Sequence, residues 1–103
     1  MAEVFNRFDA ADYLETPEDI AAYLEAAAEA AAVDGDPAPL VTALGTVARA
    51  RNMSQLARDV GMTREGLYKA FSPGGNPSFG TVAKVAHALG VEVALRPRTR
   101  EVA

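Results

Sequence analysis

Thr63, Arg64, Glu65, Tyr68 and Lys69 cluster at the start and on the outer face of one short segment of this 103-residue chain. Their chemistry is recognition rather than bond breaking. A guanidinium such as that of Arg64 matches guanine O6 and N7 in bidentate fashion, which makes it the best base-reading candidate. Glu65 accepts from a cytosine amine or orients Arg64. Lys69 and Tyr68 suit phosphate contacts, Tyr68 being equally a helix-packing residue. Ser54 and Gln55 open the preceding segment, where backbone amides and a side-chain amide can hold a phosphate, and Arg58 adds a further cation there. Catalysis finds no comparable set. Cysteine is absent, His87 is the single histidine, and no nucleophile, base and orienting acid gather, so the chain is not expected to be an enzyme or to carry a metal or cofactor.

Two short helices and a tight turn must position these side chains. In Ser54–Phe71, SQLARDVGMTREGLYKAF, Ser54 is expected to cap a first helix with Leu56, Ala57 and Val60 inward. Gly61 breaks that helix, and Thr63 caps a second one whose buried face is Leu67, Ala70 and Phe71. Helices this short need neighbours, because nucleation is costly. A helix-turn-helix module meets that need and leaves the outer face of its second helix free for a DNA major groove.

Thr16-Pro17-Glu18-Asp19 is a helix start, with a cap, a proline in the first turn and acids at the positive end of the dipole. That helix should run to Val33 and stop before Asp34-Gly35. Its apolar stripe, Ile20, Leu24, Ala27 and Ala31, has two large residues, so alanine propensity rather than burial holds it. Asp36 should cap the next helix, with Pro37 first and Leu40, Leu44, Val47 and Ala48 inward. Gly45 marks either a close approach or a mild weakness. Arg49 and Arg51 close that helix at its negative end, with phosphate as an alternative partner. Ser72–Pro77 is a loop whose paired glycines are no phosphate cradle, since no strand precedes them and no Gly-Lys-Ser/Thr follows. Ser78 should cap a helix over 79–89 that completes the core with Phe79, Val82, Val85, Ala86 and Leu89, ended by Gly90. Val91, Val93 and Leu95 alternate with Glu92 and Ala94, a short strand pattern. A lone strand is unstable, and pairing with its twin in a second chain would make a homodimer. The aromatic residues Phe5, Phe8 and Tyr13, together with Val4 and Leu14, either pack back on the domain or wait for a partner.

Charge divides the chain. Residues 1–46 hold ten acidic residues and one basic, a net −9; residues 47–103 hold nine basic and four acidic, a net +5, which together give the overall −4. Binding to phosphate follows the local field, not the average. An acidic arm beside a basic domain suits DNA on one side and a basic protein on the other, or acids that simply solvate an alanine-rich helix. No export signal and no apolar run of the roughly 20 residues a bilayer needs is visible, so no membrane is expected and the default location is the cytoplasm.

Four stretches, FDAADYL, TPEDIAAYLEAA, VARARNMSQLARDVGMTREGLYKAFS and GNPSFGTVAKVAHALG, resemble the addiction-module antidote proteins, a HigA-like antitoxin family of the lambda-repressor-like helix-turn-helix class. The resemblance spans about residues 5–90. It implies an all-α fold: a lambda-repressor-like helix-turn-helix bundle with an N-terminal helical arm and, from the pattern above, a short C-terminal strand. Residues 1–35 would be the acidic arm, 36–95 the DNA-binding domain and 96–103 a basic tail. It implies an antitoxin that binds a small toxin resembling the RelE/HigB-type ribonucleases and represses its own operon. Ser54, Gln55, Thr63, Arg64, Glu65, Tyr68 and Lys69 would then lie at or near operator double-stranded DNA, and charge places a small basic toxin protein on the acidic half. The lambda-like pair carries two more residues between its Thr/Ser-Gln start and its glycine, which makes the first motif helix short here. A freestanding phage-like regulator, and a protein-binding adaptor that no longer reads DNA, are the competing readings.

Overall fold

A computed structural model describes residues 14–97, and all of their regular structure is helical. The helices are α1 (Pro17–Asp34), α2 (Ala38–Arg49), α3 (Met53–Val60), α4 (Arg64–Ala70) and α5 (Phe79–Ala88). Val4, Phe5, Phe8 and Tyr13, and the tail from Arg98, lie outside the described residues. Among those described, no helix is long and apolar enough to cross a membrane.

Local chemistry sets most helix starts. Thr16 Oγ1 accepts from Asp19 N at 3.0 Å, Thr63 Oγ1 from Gly66 N at 2.9 Å and Ser78 Oγ from Thr81 N at 3.1 Å. Each satisfies one of the amides that a helix start leaves without an internal partner. α2 begins one residue later than expected, at Ala38, so Pro37 rather than Asp36 holds the cap position; the Asp36 carboxylate accepts from Ala38 N at 3.0 Å from one residue further out. Ser54, expected as the cap of α3, is not: Asn52 takes that role, its Oδ1 accepting from Gln55 N at 3.1 Å. The helix therefore starts two residues earlier, at Met53, and has eight residues. Met53 explains the choice, because it is buried and the helix must include it to hold its side chain in the core.

One core joins all five helices. Its most enclosed side chains are Leu44 and Val47 of α2, Leu67 of α4 and Val85 of α5. α3 adds Met53, Leu56, Ala57 and Val60, and α1 adds Ile20 and Leu24. α1 packs along α2, while α3 contacts α4 and α5 and also meets α2. The α1 stripe is as narrow as expected: Ile20 and Leu24 are buried, and Ala27 and Ala31 are half-buried. Thr46 is the buried polar side chain of the core, and its hydroxyl donates to the Thr42 carbonyl at 3.1 Å, so no polar group there is stranded.

Two expectations fail. Phe79, assigned to the core, is 70% exposed, because the inward stripe of α5 begins at Val82 and runs through Val85, Ala86 and Leu89. Phe79 is the first residue of α5, where the chain has just left its loop and has no preceding turn to pack beside. The strand over residues 91–95 is also absent: residues 91–97 carry no helix, strand or turn. Val91 N closes the end of α5 on Ala86 O at 3.0 Å, and beyond it no neighbouring strand lies among the described residues to complete a ladder.

Gly45 resolves in favour of a close approach. A Cβ built there would overlap the Phe71 carbonyl oxygen and stand 3.3 Å from the Phe71 Cβ. The chain leaving α4 thus rests directly on the backbone of α2. Gly45→Ala is expected to lower the unfolding free energy by about 1–3 kcal/mol, the usual range for overpacking, as read from the midpoint of a urea denaturation curve.

Candidate nucleic-acid interface

α4 has only seven residues, and its placement comes from its two ends. Its start follows a turn at Gly61, whose φ of 75° is a left-handed conformation that glycine adopts without strain. Met62 N then bonds back to Ala57 O at 2.9 Å, which ties the turn to α3. At its far end Phe71 is buried and lies against Gly45. Between these points Leu67 is fully buried, so the opposite side of α4 must face out.

That outward side carries Thr63, Arg64, Glu65, Tyr68 and Lys69, and all five are exposed. Arg64 and Glu65 occupy the first two helical positions, where side chains extend beyond the helix end. Tyr68 is 54% exposed, so packing claims only part of its ring. Thr63 has spent one acceptor lone pair on Gly66 N, and its hydroxyl proton remains able to donate. The loop after α4 folds back on it: Ser72 Oγ donates to Tyr68 O at 2.7 Å and Gly75 N to Ser72 O at 2.8 Å. A Cβ at Gly75 would overlap the Ala70 carbonyl, so a glycine is needed for this close return.

Ser54, Gln55 and Arg58 form the exposed face of α3. Gln55 is not a free amide. Its Nε2 donates to Asp59 Oδ1 at 2.8 Å, and its Oε1 accepts from an Arg58 guanidinium nitrogen at 2.7 Å. The ladder holds Arg58 and Asp59 along one face, at the three- and four-residue spacings at which helical side chains meet. With Asn52 as cap, Ser54 sits at the second helical position and its side chain is released from capping. Arg49 bonds within its own helix, to Thr46 Oγ1 at 3.4 Å.

Sequence reasoning missed Asn52 and Phe79. For Asn52 the signal was available: an Asn before an apolar residue, three positions ahead of Gln55, matches a cap as well as Ser54 does. Phe79 carried no such signal, since it falls on the same helical spacing as the inward stripe.

Two open grooves lie away from α4. One, of about 540 Å³, runs between α1 and α2 and is lined by Tyr23, Ala26, Ala27, Ala38, Pro39 and Ala43, with Asp36 and Thr42 as its polar members. The other lies beside α3 and α5, where Asp59, Lys84 and the exposed His87 meet.

Comparison with known proteins places this sequence among relatives. The family model described as "Probable addiction module antidote protein" matches residues 4–97. A protein of Haemophilus influenzae, described only as uncharacterized, is 47% identical over 92 residues, covering 89% of this chain and 91% of the relative. No solved structure matches.

The capping assignment has a direct check. Asn52→Ala is expected to cost about 1 kcal/mol, as loss of a side-chain cap does. Ser54→Ala is expected to stay within about 0.5 kcal/mol, as an exposed substitution does. Thermal unfolding of the two variants in parallel separates them.

Proposed function

The chain belongs to the family of probable addiction module antidote proteins, and from that premise we propose that it is an antitoxin with two jobs. It neutralises a small basic toxin of the RelE/HigB type by direct binding, and it represses its own operon by binding operator DNA as a dimer in the cytoplasm. The family itself suggests the antitoxin role. The toxin type, the DNA and the dimer are the finer reading.

One observation carries the DNA half: α4 exposes Arg64, Glu65, Tyr68 and Lys69 on one side while Leu67, on the other, is fully buried. On this reading α3 and α4 are the helix-turn-helix of a lambda-repressor-like domain, and α4 is the helix that enters the major groove. Arg64 reads a base, and Lys69 and Tyr68 hold phosphates. Arg58 and the first amides of α3 grip the backbone, with the Gln55 ladder setting the direction of the Arg58 guanidinium. The net +5 of residues 47–103 supplies the long-range attraction. The toxin half rests on the acidic first half of the chain, whose helix α1 offers an alanine-lined groove against α2 beside Asp36.

Co-expression of the gene with its immediate neighbours, with a tag on this chain alone, tests the toxin half. A stoichiometric small basic protein that arrests growth by itself is the expected result. Recovery of this chain alone would shift the reading to a freestanding regulator.

The DNA half is tested with double-stranded DNA from the region upstream of the gene. Arg64→Ala should weaken specific binding by about 1–3 kcal/mol and relax preference at one base position. Lys69→Ala should weaken all sequences alike and reduce the slope of log affinity against log salt by about 0.9. Fluorescence anisotropy across a salt series reads both. Unchanged binding in both variants would favour an adaptor that does not read DNA through α4.

A further inference from the structure

Val93 is 44% exposed and Leu95 is 93% exposed, in a segment with strand alternation but no strand beside it. Val91, at the head of the same row, is half-buried and packs against the core. Glu92, Ala94 and Arg96 make the alternate row, and all three are exposed. In a strand, alternate residues share a face, so the two rows would form one apolar face and one charged face. The apolar face would run outward from the domain.

We propose that residues 91–96 pair antiparallel with the same residues of a second copy, about a two-fold axis through Ala94. The occupant follows from the order of the residues. With Ala94 opposite the partner's Ala94, Glu92 lies opposite the partner's Arg96, and Val93 lies opposite the partner's Leu95. Symmetry repeats each pairing, so two opposite-charge pairs form on one face and two apolar pairs on the other. Directly opposed cross-strand residues are the ones that interact most strongly. A slip of one residue destroys the match, setting Glu92 against the partner's Leu95 and Val91 against the partner's Arg96. A slip of two residues, centred on Val93, sets Glu92 against the partner's Ala94 and leaves all charges unmatched. The opposite slip, centred on Leu95, would set Glu92 against the partner's Arg98 but would lose both apolar pairs, with Val93 against the partner's Pro97, so charge and apolar pairing together favour the register centred on Ala94. In the matched register Val91 lies opposite the partner's Pro97, which has no N–H and so ends the ladder.

The pairing also accounts for the absence of a strand in the single chain, since the missing neighbour is another copy of the segment itself. As the source of a two-fold repressor it rests on the DNA-binding reading above, yet it is measurable on the free chain without DNA. Failure of pairing and failure of operator binding are therefore separate results.

The chain has no cysteine, so one introduced thiol reports alone. Ala94→Cys on the full chain should form a covalent dimer under a mild oxidant. Val93→Cys should do so roughly tenfold more slowly, because its twin would lie diagonally at about 7–8 Å, beyond disulfide reach. Both positions are exposed, so neither change disturbs the core. In sedimentation equilibrium, Glu92→Arg alone and Arg96→Glu alone should each weaken the dimer roughly tenfold, and the double exchange should restore it. A monomer at every concentration overturns the proposal. So do equal cross-linking rates at positions 93 and 94, or a double exchange that fails to restore the dimer.

Discussion

The contact between the Phe71 backbone and Gly45 is the constraint on which the rest of this molecule depends. α4 is too short to hold its own direction, and a single fully buried residue, Leu67, would leave it free to pivot. The Gly61 turn fixes one end of α4 to α3, and the seat on Gly45 fixes the other to α2. Two anchored ends define an axis, and Leu67 then defines the rotation about it. The exposed row of Arg64, Glu65, Tyr68 and Lys69 follows from those three restraints. None of the four side chains is among these three restraints, so the fold leaves their identity largely open.

What could be read from the sequence was mostly what local chemistry decides. Thr16, Thr63 and Ser78 cap helices because a hydroxyl meets an amide three residues on, an arrangement visible in a few letters. All eight residues assigned to DNA were expected at the surface, and all eight are exposed. Errors came where the decision is not local. Asn52 and Ser54 both match a cap, and burial of Met53 between them, a tertiary fact, decided for Asn52. Phe79 shares the spacing of the core stripe but sits before the first full turn of α5, so periodicity placed it inside although it is outside. The strand failed for a further reason, because a ladder needs a second strand and one chain does not show it.

The candidate surface was legible in residue type and less so in organisation. That Gln55 and Arg58 share a face is implied by their spacing. That Gln55 spends both ends of its amide on Arg58 and Asp59 is not, because rotamers and competing partners choose it. The ladder makes Gln55 a support for the Arg58 cation. Charge reading had a similar limit. It separated an acidic half from a basic half, but not that Ile20 and Leu24 of the acidic half share one core with Leu67.

α1 is held to that core by two buried side chains across eighteen residues, with Tyr23 and Ala27 half-buried beside them. Its backbone is helical chiefly because alanine prefers it, and that preference persists when the helix leaves its seat. Detaching α1 exposes Ile20 and Leu24 but leaves Leu44, Val47, Leu67 and Val85 in contact with one another. Stability in such a chain is graded rather than uniform, with α1 on the lowest rung and the centre on the highest. Amide hydrogens of α1 would exchange through this partial opening, well ahead of those in α2. A protease would sample the same opening. The lifetime of the chain would then be governed by how often α1 lifts away, and whatever covers α1 would lengthen that lifetime without touching the helices of the core.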